Sequence, residues 1–273
     1  EAGNRVYSAT PYSLIYFDKT DNSINRLNKV SPIGLSDVGI SSIAYCSSLN
    51  TLVVAYSNTN IDLVKGSDIV NIPDIKRKQI LGNKTINSIL IVDKLAYLAC
   101  GFGIVVIDLA KNEIKDTYYI GSSGSQINVL SIAFHEPDNR FYAATEKGVL
   151  SADANTNLAY YVNWKKENIS GPNNYTNLIA SFSGKLYLNK TVTGVWDSDT
   201  LFVKNGDLWS KLLPADPSNH TSMQVCGDRL VICNMYQVRC YKADGSIGEI
   251  YSQYKQGLNI LPNDALIDKD GKV

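Results

Sequence analysis

Apolar residues along this chain fall in short runs broken by turn-forming pairs, and LAYLACGFGIVVIDLAKNEIKDTYYIG (95–121) shows the rhythm in full. Two apolar runs flank Gly101-Phe102-Gly103, and a third follows Lys111-Asn112. A dinucleotide loop would need a third glycine where Val106 stands and an amphipathic helix behind it. IVVIDL is rich in β-branched residues and has no helical period, so the glycines predict a hairpin turn between two strands.

The same unit, a turn and usually a basic residue followed by a short apolar strand, recurs along the chain. It reads GNRVYSAT (3–10), LNTLVVAYS (49–57), VDKLAYLACG (92–101), PDNRFYAATEKG (137–148), FSGKLYLNK (182–190) and CGDRLVICN (226–234). Aligned on Tyr7, Val53, Tyr97, Tyr142, Tyr187 and Val231, the steps are 46, 44, 45, 45 and 44 residues. A period near 45 with four short strands per unit predicts an all-β fold: a β-propeller of four-stranded antiparallel blades, six in number or six of a seven-bladed ring. Residues 1–273 would form one such domain.

Strands A to D of the third blade read as TINSILIVD, LAYLACG, IVVIDLA and EIKDTYYIG. The fourth reads INVLSIAFH, RFYAAT, VLSADA and LAYYVNW, and the sixth TSMQVCG, RLVICN, QVRCYKA and SIGEIYSQ. The first copy has almost no strand A. The C-terminal NDALIDKDGKV has the look of a lone strand A that closes the ring on the first blade; the other reading is the start of a seventh blade. The opening EAGNRVY reads as a chain cut within a repeat, which predicts a fragment of a longer protein.

Composition sharpens this picture. Seventeen Tyr and 19 Gly suit strands and tight turns. Lys plus Arg and Asp plus Glu are 26 each, so no global field draws in nucleic acid or an anionic membrane. No apolar run reaches the roughly 18 residues of a membrane span. Cys46, Cys100, Cys226, Cys233 and Cys240 fit no common zinc spacing and read as small buried apolar residues.

Catalytic chemistry is unsupported, and neither metal nor cofactor is expected. His135 and His220 stand two blades apart with no paired ligand motif. Asp18, Asp108 and Asp153 close strand C in three copies and read as aspartates bonding the C–D turn. One basic run remains, PDIKRKQ (73–79), in the connection from strand D of blade two to strand A of blade three. D–A and B–C connections emerge on one face of a propeller. Lys76, Arg77 and Lys78 are therefore expected to share a rim with Tyr12, Asn58, Asn60, Phe102, Trp164, Trp196 and Tyr236. A basic loop beside aromatic and amide side chains suits an anionic sugar, a phosphate or an acidic protein surface.

Four stretches, DKTDNSINRLNKVSPIGLSDVGISSIAY (18–45), LVVAYSNTNIDLV (52–64), DIKRKQILGNKTINSI (74–89) and 95–121, resemble the N-terminal propeller of PorZ-like proteins of the Bacteroidetes type IX secretion system. The ending LPNDALIDKDGKV resembles the two-component-regulator propeller repeat. The first resemblance implies a non-catalytic binding and scaffold module of an exported protein, in the periplasm or at the outer cell surface. Its implied partners are the system's sortase-like protease or anionic lipopolysaccharide. The second implies an alternative, the oligosaccharide-sensing propeller of a hybrid two-component regulator.

Overall fold

The structure is a computed structural model and describes residues 2–30, 34–171, 175–253, 257, 259–268 and 271. Blade one holds β1 (Arg5–Ala9), β2 (Ser13–Asp18) and β3 (Ser23–Asn28). Blade two holds β4 (Ile40–Cys46), β5 (Thr51–Tyr56), β6 (Ile61–Lys65) and β7 (Asp68–Ile72). A one-turn helix, α1 (Asp74–Arg77), leads to blade three, with β8 (Ile86–Val92), β9 (Leu95–Cys100), β10 (Gly103–Asp108) and β11 (Glu113–Tyr118). Blade four holds β12 (Val129–His135), β13 (Arg140–Thr145), β14 (Gly148–Asp153) and the short β15 (Lys165–Lys166). Blade five holds β16 (Thr176–Phe182), β17 (Lys185–Lys190), β18 (Thr200–Asn205) and β19 (Leu208–Lys211). Blade six holds β20 (His220–Cys226), β21 (Arg229–Asn234), β22 (Val238–Tyr241) and β23 (Ile247–Tyr251). Neighbours pair antiparallel in chain order in every sheet, which makes the fold an all-β propeller of six blades, mostly four-stranded.

The six residues that aligned the repeats each occupy the third position of strand B, in β1, β5, β9, β13, β17 and β21. Four of the A strands share a further feature. Their register against strand B shifts at the second residue, at Ile40/Ser42, Ile86/Ser88, Thr176/Leu178 and His220/Ser222. Such a bulge bends a strand and raises its twist.

Two compact units divide the chain: 1–130 with 158–162, and 131–157 with 163–273. In the first, blades two and three bury Val53, Ala55, Leu63, Leu98, Val105 and Ile107 in one cluster, against which Ile75 of α1 and Phe102 also pack. In the second, Tyr142, Leu188 and Phe202 anchor one cluster, and Tyr187, Leu230 and Tyr241 another.

Gly101-Phe102-Gly103 is the hairpin turn that the pattern predicted, with Gly103 opposite Cys100. Gly103 has φ +145°, and a Cβ there would lie 2.2 Å from the Tyr118 carbonyl oxygen, so only glycine fits. The aspartates ending strand C bond their turns. Asp18 Oδ1 accepts from Thr20 N (3.0 Å), Asp108 Oδ1 from Ala110 N (3.0 Å) and Asp153 Oδ1 from Asn155 N (2.8 Å). Cys46, Cys100, Cys233 and Cys240 are buried, Cys226 is half-buried, and all five are free thiols. Burial pushes Cys100 up to about 12 and Cys233 and Cys240 up to about 11.

One strand lies elsewhere than predicted. LAYYVNW was expected to be strand D of blade four, but residues 158–162 belong to the first unit, and Tyr161 packs 3.3 Å from where a Cβ on Gly124 would sit. The outer strand is instead Lys165–Lys166, pairing with Leu150 and Ser151. The lone strand A also takes another form within its described part. Residues 263–268 are irregular and lie on blade six, where Gln224 Nε2 donates to both Asp264 oxygens (2.7 and 2.6 Å) and Ala265 and Ile267 pack beside Val231. Of the expected seventh copy, residues 269, 270, 272 and 273 lie outside the described residues. No helix among the described residues is long and apolar enough to cross a membrane.

Candidate functional site

The basic run forms a braced loop. Arg77 N donates to Pro73 O and Lys78 N to Asp74 O, both at 2.9 Å, which makes one helical turn. Lys78 is extended (φ −69°, ψ 132°) and ends it. Lys84 Nζ donates to the carbonyls of Lys76 (3.1 Å) and Lys78 (3.0 Å), a cation serving backbone acceptors that the short helix leaves open. Ile75 is buried and pins the turn to the core.

Asp37 gathers three of the expected rim residues. Its Oδ2 accepts from Lys76 Nζ (2.6 Å), Asn58 Nδ2 (2.6 Å) and Asn60 Nδ2 (3.3 Å). Burial alone would raise this carboxyl, but Lys76 and Asn58 outweigh it and hold it at about 2. The network continues inward. Asn71 Nδ2 bonds Asn60 Oδ1 (3.0 Å) and Asp62 Oδ1 (2.9 Å), while Tyr56 Oη donates to Asp62 Oδ2 (2.5 Å). Lys76, Asn58 and Asn60 are thus engaged in holding the loop.

Arg77 and Lys78 are exposed and have no carboxylate within ion-pair distance among the described residues. They border a groove of about 430 Å³, with Asp74 beside them. Its floor is Ile75, Ile80, Phe102, Val105 and Ile114, with Thr117 on the wall. Val105 stands opposite Thr117 and Ile107 opposite Ile114. Ile114 and Thr117 are an odd number of residues apart, and a regular strand would send them to opposite faces. The register shift at Val106/Ile107 brings both to this one.

The remaining expectations divide by burial. Phe102 (1 % exposed) and Trp164 (6 %) are core residues and not open rim aromatics; Phe102 packs with Tyr119, at 6.3 Å between ring centroids. Asn60 is likewise buried. Tyr12, Trp196 and Tyr236 are exposed on the B–C connections of blades one, five and six. In the first unit the structure therefore brings together Arg77, Lys78 and Phe102 at the groove, and Lys76, Asn58 and Asn60 at Asp37. In the NWKKEN stretch (163–168) that carries Trp164, Glu167 accepts from Ser151 Oγ (2.7 Å) and Trp209 Nε1 (3.0 Å).

Sequence reasoning missed Asp37 and the apolar floor, although the isoleucines bracketing KRKQ in DIKRKQI were a usable signal. It also missed a buried cluster in the second unit. His220 Nδ1 lies 3.3 Å from Asp199 Oδ2, and Nε2 lies 3.4 Å from Asp216 Oδ2. Arg239 (3.0 Å) and Asn234 Nδ2 (3.0 Å) also reach Asp216. Burial alone would lower the His220 pKa; the two carboxylates overcome it and raise it. No group of three or more side chains suited to a metal ion occurs among the described residues.

Comparison with known proteins places this geometry. Among solved structures, PorZ of Porphyromonas gingivalis, described as an essential bacterial surface component of the type-IX secretion system, superposes with a TM-score of 0.77 at 23% identity. The match covers 92% of this chain and 32% of that one, so the chain spans under a third of that protein's length. The WD40 β-propeller domain of Doa1 (TM-score 0.62, 14% identity, 91% and 78% covered) is also similar. So is the β-propeller domain of Myceliophteria thermophila Cps50 (Swd1), at 0.62 and 11% identity with 91% and 82% covered. At these identities the likeness shows the fold. No curated protein matches the chain. The family model described as "TSS9, PorZ, N-terminal beta-propeller domain" matches residues 6–165. With more than half its length matched and the six blades in place, this chain belongs to the PorZ family of the type IX secretion system, in its N-terminal β-propeller domain.

Proposed function

We propose that this propeller is a non-catalytic binding and scaffold module of an exported secretion-system component, in the periplasm or at the cell surface. Its Arg77–Lys78 rim meets an anionic partner, either lipopolysaccharide or an acidic face of a secretion-system protein such as the sortase-like protease. The observation that carries this reading is the pair of cations, without a carboxylate partner among the described residues, on a loop already fixed by Asp37, Ile75 and Lys84. Membership of the PorZ family supplies the context. A chain with equal numbers of acidic and basic residues has no long-range pull on anions, so recognition falls to this local rim.

The test is a titration of purified acidic lipopolysaccharide and of the protease, at roughly 0.05 and 0.5 M salt, against the native chain and Arg77→Ala/Lys78→Ala. Binding should weaken severalfold in high salt, as screening of exposed charges requires, and again in the double variant. Binding indifferent to both changes would remove the rim from the function.

A further inference from the structure

We infer that the groove beneath Arg77 and Lys78 receives an extended peptide segment of a partner protein, one in which an aliphatic side chain is followed closely by an acidic one. This rests on the reading of the rim as a binding surface and names the partner's chemistry. The floor is apolar, with half-buried Ile80 and Ile114 beside buried Ile75, Val105 and Phe102, and the two cations stand at its border. An aliphatic side chain laid on that floor leaves water while a neighbouring carboxylate meets Arg77 or Lys78, both free of ion pairs among the described residues.

A sugar fits the same surface badly. Sugar rings are held by stacking on an open aromatic face and by many hydrogen bonds to their hydroxyls. The aromatic residue here, Phe102, is as buried as Ile75 and Val105 and offers no open ring face, so Ile80 and Ile114 supply the exposed part of the floor. Among the described residues, the one hydroxyl lining the groove is that of Thr117. Hydroxyls buried on this floor would lose water without replacement, which weakens binding. Among the described residues the lining holds one acid, Asp74, against two cations, so the charge there favours an acidic segment.

The experiment uses the full chain and an array of immobilised hexapeptides alternating Leu or Ile with Asp or Glu. Matched arrays replace the acids by their amides, or the aliphatic residues by Ser. The native chain should bind the acid–aliphatic peptides about tenfold more tightly than either matched set, a difference of about 1.4 kcal/mol. Two variants separate the contributions: Arg77→Glu/Lys78→Glu reverses the rim, and Thr117→Phe fills the groove and keeps both cations. Each should weaken peptide binding by about tenfold or more, with unchanged circular dichroism confirming the fold.

Absence of peptide binding by the native chain, or peptide binding unchanged in Thr117→Phe, overturns the inference. Acidic lipopolysaccharide is titrated on the same proteins. If the peptides fail in either way while lipopolysaccharide binds the native chain and Thr117→Phe equally but not the charge-reversed variant, the rim still serves an anion and the peptide groove alone is refuted. Failure of both probes on the native chain refutes the rim as well.

Discussion

His220 is held between two carboxylates, Asp199 from the B–C connection of blade five and Asp216 from the connection into blade six, with Arg239 beyond Asp216. Its pKa is raised in the folded chain, so its contribution to stability is complete below about pH 6.5 and is lost as pH rises through the folded value. Both aspartates are lowered: burial opposes this, and bonds to His220 prevail. Their contribution is present above about pH 4 and is lost on acidification through their folded values. Thermal melting should therefore show its highest Tm between these limits, falling as pH rises above about 6.5. His220→Asn should melt lower at pH 6 and lose the alkaline decline; an identical decline in the variant would refute the assignment. Half of this cluster was legible, since Asp216 stands four residues before His220, but Asp199 is 21 residues away on a neighbouring blade and only the fold closes that distance. Asp37 was hidden for the same reason, 39 residues from Lys76.

At the scale of elements, strands were readable because each blade repeats a hydrophobic pattern and ends in turn chemistry that acts locally. Strand B is the clearest case, with Tyr or Val at its third place in all six blades. Strand D of blade four was not readable. Its two residues, Lys165 and Lys166, carry no apolar pattern, whereas LAYYV ahead of them does and is used in packing elsewhere. The burial of Phe102 was equally illegible, since turn chemistry at Gly101 and Gly103 says nothing of what covers the side chain between them. α1 is too short to be stable by itself and depends on Ile75. Ile75→Ala should cost roughly 2–4 kcal/mol in urea unfolding and speed amide exchange across residues 74–84. Equal exchange in both proteins would show that Lys84 and Asp37 hold the loop alone. Gly103→Ala should destabilise more than a typical turn substitution, since it meets both a positive φ and the Tyr118 carbonyl.

Across the whole molecule the thiols report on integrity. Four are buried, with raised pKa values on Cys100, Cys233 and Cys240, and the half-buried Cys226 lies in blade six. A thiol reagent at pH 8 should modify Cys226 first and the other four only on unfolding. Rapid reaction of Cys46 or Cys100 in native buffer would mean that the first unit opens on its own.

The clasp of Asp37 on Lys76 has a kinetic consequence. A partner arriving at this loop finds it already shaped, so the encounter involves no slow ordering step and little entropy is lost on docking. Association should then be single-exponential and tuned by ionic strength, while discrimination among partners appears in how long each one stays. Asp37→Ala, by freeing the loop, should slow arrival even though it removes a negative charge from beside the rim.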